Sequence, residues 1–396
     1  MTRTQLPAWS PISAAILFRG AREALRGGAA ERLTALIRRE YGAERVRLTD
    51  SGTSALTMAL RSLGPTPTVA LPAYGCYDLA TAAIGAGARV RLYDLDPGTL
   101  GPADRSLGDV LDAGVAALVL AHLYGIPADS SRWRQVARDR GIVIIDDAAQ
   151  AVGARLDGLP AGALGDLGVL SFGRGKGRTG GGGGALLSLT PTGTSLLDRA
   201  ALLTLPEPSI GALGVGAAKL LVQWLLGRPA LYGLPASIPW LGLGQTHFKP
   251  PEPSRNLGAL AAGVLLSSWR AAASEVEVRQ TTAAQWMKAV LAPGVRPITV
   301  SSRATPGWLR FPILAAPECR VDLETDSARR LGVAAGYPTT LAELAGFADY
   351  LLPGGDYPGA ADLARSLVTV PTHGLLSSAD RLSLVRLLGG GDKPSQ

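Results

Sequence analysis

The sequence predicts an α/β fold, with a large domain built on a mainly parallel central sheet and a smaller C-terminal α/β domain. Three observations carry this. Apolar runs of strand length alternate with helical periods through the first half of the chain, the order that produces parallel sheets covered on both faces. Ile142-Val143-Ile144-Ile145 is apolar without alternation, as expected of a strand buried on both sides. After Thr190 the alternation gives way to a Pro- and Gly-rich apolar stretch over 206–254. That stretch reads as a connecting and contact region, giving a large domain over 1–254 and a small one over 255–396. The 396 residues are enough for two domains.

The elements follow in order. Arg45-Val46-Arg47-Leu48 is a strand, and Ser51-Gly52-Thr53-Ser54 turns it into an apolar-periodic helix ending near Gly64. Thr68-Val69-Ala70-Leu71 is the second strand, closed by Pro72, and a helix follows through Leu79 to Ile84. Arg89 to Tyr93 and Ala117 to Leu120 are the third and fourth. The fifth ends in Asp146-Asp147, and Gly168 to Phe172 and Ala185 to Ser188 complete the sheet. A long helical pattern starts near Leu257 and runs past Val278. A strand at Trp308 to Leu314 and helices at Ser327 to Leu331 and Ser377 to Leu388 build the smaller domain.

Composition narrows the function. Thirty-nine Lys and Arg against thirty-two Asp and Glu leave a net charge of +7, which favours anionic ligands without naming one. There is no C-x-x-C pair, zinc-finger spacing or dense Lys/Arg run, so no nucleic-acid partner is expected. Two cysteines, Cys76 and Cys319, cannot build a disulfide framework. A reducing, cytoplasmic setting is therefore expected. The apolar run Ile12 to Phe18 meets Arg19 and Arg22 at once and shows no cleavage site, which argues against secretion. The longest apolar segment, Ile210 to Leu226, is interrupted by Lys219 and Gln223. Four residues apart on a helix, these two share one narrow polar face. The segment reads as a buried or subunit-interface helix. A helix lying on a membrane is the alternative, disfavoured because too few basic residues flank it.

Chemistry gathers around three tracts. Lys176 follows the Ser171-Phe172 strand end and precedes five glycines, Gly180 to Gly184. The glycines let backbone approach a ligand. The phosphate-loop pattern is not matched, because Gly177 follows the lysine. A Schiff-base lysine is the other reading, and it needs a site that lowers an amine pKa of about 10.4. Asp147 ends a buried strand, where a carboxylate suits either a helix cap or a pyridinium nitrogen. Asp146-Asp147 could also bind a metal, but no His or further acid lies nearby in sequence, and no metal is expected. Ser51-Gly52-Thr53-Ser54 is a strand-to-helix turn whose N–H groups suit a phosphate.

Together these tracts resemble the DegT/StrS-type aminotransferases, pyridoxal-phosphate enzymes that aminate ketosugars. The resemblance covers about Ala43 to Leu388. Its motifs stand here as Ser51-Gly52-Thr53-Ser54-Ala55-Leu56, His122-Leu123-Tyr124-Gly125, the tract Asp146 to Ala154, the tract Gly165 to Gly184, and Val370-Pro371-Thr372-His373. The resemblance implies PLP fold type I, similar to aspartate aminotransferase, and a homodimer with active sites at the interface. It implies that Lys176 carries the cofactor as a Schiff base and shuttles protons. By the same likeness Asp147 pairs with the pyridine nitrogen, Gln150 lies near the ring hydroxyl, and Thr53, Ser54 and Ser171 hold the phosphate.

Departures bear on the substrate. The aromatic residue that usually covers the ring falls at Cys76, leaving Tyr77 or Tyr74 to stack. The family's Glu in the glycine tract is lost. Pro253 stands where an Asn of the neighbouring subunit usually reaches the phosphate, with His247 or Lys249 as substitutes. The implied reaction is transamination from an amino acid, glutamate or glutamine, to a ketosugar or related cyclic ketone in sugar or secondary-metabolite biosynthesis. Two alternatives stand beside it. One is a PLP enzyme with another substrate or outcome; in the dehydrating relatives His replaces the lysine, and Lys176 argues against that outcome. The other is a non-catalytic binding or regulatory protein that keeps the fold, against which Lys176, Asp147 and Gln150 together argue.

Overall fold

The computed structural model describes residues 3–202, 205–207, 209–236 and 248–390. Helices α1 (Ala14–Leu25) and α2 (Ala29–Tyr41) come first. Four strand–helix units follow: β1 (Arg45–Thr49) with α3 (Gly52–Arg61), β2 (Thr68–Pro72) with α4 (Asp78–Ala86), β3 (Arg89–Tyr93) with α5 (Asp104–Asp112), and β4 (Ala117–Ala121) with α6 (Ser131–Asp139). β5 (Val143–Asp147) precedes a short hairpin, β6 (Arg155–Leu156) and β7 (Leu159–Pro160), then β8 (Leu167–Ser171) and β9 (Gly184–Ser188). α7 (Pro191–Ala201), α8 (Ile210–Leu226), α9 (Pro229–Ala236) and α10 (Ala259–Lys288) come next. The chain closes with β10 (Val295–Pro297), β11 (Ala304–Thr305), β12 (Phe311–Ala315), α11 (Pro317–Leu323), α12 (Asp326–Arg330), β13 (Ala334–Ala335), α13 (Pro358–Ser366), β14 (Leu367–Val370) and α14 (Ser378–Leu388).

Seven strands form the central sheet in the order β1-β9-β8-β5-β4-β2-β3. β9 pairs antiparallel with both β1 and β8, and every other pairing is parallel. The C-terminal ends of β1, β2, β4, β5 and β8 therefore share one edge. In a parallel sheet that edge is where ligands bind, because loops and helix N-termini converge there. The central strands are apolar on both faces: Val69, Leu118, Val119, Ile144 and Ile145 are fully or almost fully buried. A separate antiparallel sheet, β10-β12-β14-β13, follows in the C-terminal part. The strand expected from Trp308 begins only at Phe311, because Trp308 takes a φ of 45° that a strand cannot hold.

α10 lies along α1, and glycines permit the close crossing: a Cβ on Gly20 would sit 2.6 Å from Val264 Cγ2. α8 rests on this pair through Leu220, which packs with Ile12, Ile16 and Val264. Its polar stripe is split. Gln223 turns inward to Thr179, while Lys219 stays exposed. Leu213, Leu221 and Leu225 of α8 are between 41% and 54% exposed. Among the described residues no helix is long and apolar enough to cross a membrane.

Candidate active site

Alternation along β5 decides the roles of its two terminal carboxylates, since successive side chains leave a strand on opposite faces. Asp146 points into the fold and is fully buried. Its Oδ1 accepts from His122 Nε2 at 2.6 Å, and its Oδ2 accepts from the N–H groups of Gly162 and Leu164 at 2.5 and 3.0 Å. The Ala128 N–H donates to His122 Nδ1 at 3.1 Å, which fixes the proton of the neutral ring on Nε2. Both oxygens of Asp146 are thus engaged by the fold. No group of three or more His, Cys, Asp or Glu able to hold one gathers among the described residues.

Asp147 faces the other way, into a pocket at the strand ends. Thr53, Cys76, Gln150, Ser171 and Lys176 line the same pocket, so six of the eight residues singled out from the sequence meet there. Burial raises the Asp147 pKa above its ordinary value; the Ala149 N–H, Lys176 and His122 pull it back only in part. A desolvated carboxylate of this kind gains from a cationic partner inside the pocket.

The phosphate-sized end lies at the N-terminus of α3. Ser51 caps the helix by accepting the Ser54 N–H at 3.0 Å, while Gly52 and Thr53 face the pocket. Ser171 sits so close that a Cβ on Gly52 would lie 2.7 Å from Ser171 Cβ and 2.9 Å from its Oγ. A side chain at position 52 would therefore fill the cradle between helix N-terminus and serine. Ser54 needs correcting. Its hydroxyl donates to Asp50 Oδ1 at 2.6 Å, inside the cap and away from the pocket.

Tyr77 needs correcting as well, and so does its alternative Tyr74. Neither ring lines the pocket. The Tyr77 hydroxyl lies 2.6 Å from Thr339 Oγ1, and the Tyr74 hydroxyl accepts the Tyr337 N–H at 2.9 Å. Both rings pack on Tyr337 at 5.9 and 5.5 Å between centroids. The residue left on the pocket wall is Cys76, whose thiol burial pushes up to about 12, with Asp78 adding to the effect. It is a neutral, polarisable contact.

Lys176 is held by its loop. Phe172 donates its N–H to Gly183 O at 2.7 Å, and Gly183 in turn donates to Asp50 O at 2.7 Å. Gly177 donates to Ser10 Oγ at 3.0 Å with a φ of 85°, where a side chain would be strained and would also meet Arg279. Behind the loop Arg178 donates to Glu40 Oε1 at 2.7 Å and stacks 3.8 Å from the Trp269 ring centroid. The glycine tract therefore gives close approach, and the arginine behind it gives rigidity.

Several residues escaped the sequence reading. Tyr337 accepts from Gln150 Nε2 at 2.8 Å, and Gln150 Oε1 accepts the Tyr124 N–H at 3.2 Å. Tyr124 stands at φ 57°, ψ 16°, a left-handed conformation uncommon for a bulky residue and typical of functional turns. Arg310 enters from the segment before β12, and its N–H donates to Tyr124 O at 3.3 Å. Together with Arg174 and Lys176 it lines a chamber of about 220 Å³ next to the first pocket. The Gly-Tyr-Pro turn at 336–338 was the one local sign of Tyr337. His373 donates to Leu6 O at 2.7 Å, and burial pushes its pKa down to about 4; it is a structural tie. The Lys249 carbonyl accepts from Thr81 Oγ1 at 2.8 Å. His247 lies outside the described residues.

The donor set fits pyridoxal phosphate. It offers a primary amine, a carboxylate seeking a cation, an amide, and a hydroxyl-lined helix N-terminus in a cradle that a Cβ would close.

A family model described as the DegT/DnrJ/EryC1/StrS aminotransferase family matches residues 20–197. Protein MosB of Rhizobium meliloti is 37% identical over 144 residues, 36% of this chain and 28% of that protein. The L-glutamine:2-deoxy-scyllo-inosose aminotransferase of Streptomyces kanamyceticus is 35% identical over 143 residues, 36% of this chain and 34% of that enzyme. These alignments span about a third of the curated relatives' length. The crystal structure of DesV from S. venezuelae superposes over 100% of both chains with a TM-score of 0.76 and 23% identity. The aminotransferase TlmJ from Streptoalloteichus hindustanus does so over 97% of both, also at 0.76, with 22% identity. The fold is PLP fold type I.

Proposed function

We propose that this chain, whose residues 20–197 match the DegT/DnrJ/EryC1/StrS aminotransferase family model, is a member of that family and carries out a pyridoxal-phosphate-dependent transamination. An amino acid, glutamate or glutamine, gives its amino group and leaves as a 2-oxo acid. A ketosugar or related cyclic ketone receives the group and leaves as an amine. The observation that carries the reading is the meeting of Lys176, Asp147 and the α3 N-terminus in one pocket. Bound there, pyridoxal phosphate would supply an electron sink for the pair released when a carbon–hydrogen bond breaks.

The chain's residues do the rest. Asp147 would hold a proton on the bound ring nitrogen, and its own desolvation would make that charge pairing favourable. Gly52, Thr53 and Ser171 would hold the phosphate through helix N–H groups and hydroxyls. Gln150, oriented by Tyr124 and Tyr337, would bond the edge of the bound ring, and Cys76 would supply an apolar contact to it. Lys176 would hold the cofactor through its amine and, once freed, would be placed to carry a proton to and from the substrate's α-carbon. We read the protein as a cytoplasmic homodimer in which the outward face of α8 is covered by the second copy.

Borohydride reduction of the purified protein, followed by peptide mapping, tests the assignment. The expected result is a pyridoxyl group on Lys176. A label on Lys219 or Lys249, or none with cofactor present, would overturn it. A screen of sugar and non-sugar ketones against the amine-loaded enzyme then identifies the acceptor.

A further inference from the structure

The chamber beside Lys176 opens into a second space of a different character. Leu6, Ala8, Arg174, Gly175 and Tyr232 line both, so the two are continuous. The second space is a cleft of about 680 Å³ between α8 and the N-terminal segment. Val215, Ala218, Val222 and Leu226 form its α8 wall, at the three-to-four-residue spacing of a single helix face. Trp9 and Ile12 line it from the N-terminal segment. Its uncharged polar side chains include Ser10 and Gln223, which are bonded to Gly177 and Thr179 respectively.

Charge in these spaces has one sign. Arg174, Lys219 and Lys249 line the cleft, and Arg174, Lys176 and Arg310 line the chamber; among the described residues no Asp or Glu lines either. Neither Arg174 nor Arg310 has a carboxylate partner among the described residues. Two guanidiniums beside the reacting lysine match a planar anion, and the aliphatic wall beyond them matches a group that avoids water. The base and ribose of a nucleotide ask for polar partners that this wall does not present.

We propose that the ketone acceptor is an anionic amphiphile. Its carboxylate or phosphate lies between Arg174 and Arg310, and an aliphatic or aryl portion fills the α8 cleft. This rests on the transamination reading above and specifies its substrate class.

Binding separates the two ideas. Decanoate, decyl phosphate, decanol, decyltrimethylammonium and UDP are titrated into the purified protein by calorimetry. Decanoate and decyl phosphate should bind at least about tenfold tighter than the other three, since both the charge and the chain find partners. Arg310→Gln and Val222→Glu should each weaken decanoate by about tenfold. Val222 is 51% exposed, so its substitution leaves folding intact. If Lys176 takes the pyridoxyl label but UDP binds more tightly than decanoate, or Val222→Glu leaves decanoate affinity unchanged, the amphiphile proposal falls alone. If Lys176 takes no label, the transamination reading falls whatever the decanoate result.

Discussion

Asp146→Asn and Asp147→Asn should fail in opposite ways, although the two residues are neighbours. Asp146 accepts three N–H bonds, one on Oδ1 and two on Oδ2. An asparagine amide offers one acceptor oxygen and an NH2 group. Turned towards the loop, it sets NH2 against the His122 Nε2–H; turned towards His122, it sets NH2 against two backbone donors. His122 cannot relieve this by moving its proton, because Nδ1 already accepts from Ala128. Unmatched buried donors and the lost charge together cost about 3–5 kcal/mol. For a chain of this length that is a fall of about 4–6 °C in melting temperature. Asp147 accepts only the Ala149 N–H and otherwise faces the pocket. Asparagine can keep that bond, so stability changes by less than about 1 kcal/mol. Proton removal from the donor amino acid should instead slow by about 100-fold or more, because an amide cannot hold the ring proton by charge. The assays are thermal melting of cofactor-stripped protein and single-turnover loading with glutamate. Melting temperatures of the two variants within about a degree of each other, or equal losses of turnover, would refute the reasoning.

Other outcomes follow from the same geometry. Gly52→Ala should lower cofactor retention by about tenfold or more, since the new Cβ meets Ser171 and overpacking costs about 1–3 kcal/mol; Ser171→Gly in the same chain should recover part of the loss in a spectroscopic cofactor titration. Cys76 should resist iodoacetamide at pH 8, where about one thiol in ten thousand is ionised, and mass mapping reads this directly. The pH dependence of cofactor-stripped protein should carry an Asp147 signature. Its folded pKa is raised above an unfolded value near 3.9, so its contribution to stability is fully present below the unfolded value and is lost as pH rises through the folded one. Asp147→Asn should remove that part of the slope in denaturant titrations run across the acidic range. Finally, Leu221→Glu places a charge on the exposed α8 face and should break the dimer, as light scattering would show, while wild type binds liposomes only weakly.

Much of the cofactor pocket was legible because its parts sit in short local tracts. Asp147 ends a strand, and Lys176, Gln150 and the α3 turn each follow one; strand ends are marked by an apolar run that stops. What could not be read is of two kinds. Adjacent candidates such as Ser54 and Tyr77 depend on side-chain direction. Ser54 is one residue past Thr53, and that rotation carries its hydroxyl to Asp50 instead of the pocket. Residues such as Arg310, Tyr337 and Leu6 come from segments distant in sequence and reach the site only through tertiary packing. The contact of Gly307 with Gly125, by an N–H···O bond of 2.8 Å, draws Arg310 into place, and nothing local to Arg310 announces it.

The two halves of the site have different ancestry within the fold. Strand ends of the central sheet hold the reacting groups, so any change there disturbs a core that every strand shares. The α8 cleft is walled by a helix and a terminal segment, which are tied to the lysine loop through Ser10 and Gln223 and to α10 through Trp9. Apart from Ser10 and Gln223, side chains of this wall can change with less disturbance of the sheet, so substrate range can drift while the reaction stays fixed. A graft of 5–12 and 210–236 from another member of the fold is thus the smallest exchange that could transplant a new acceptor onto an unchanged catalyst.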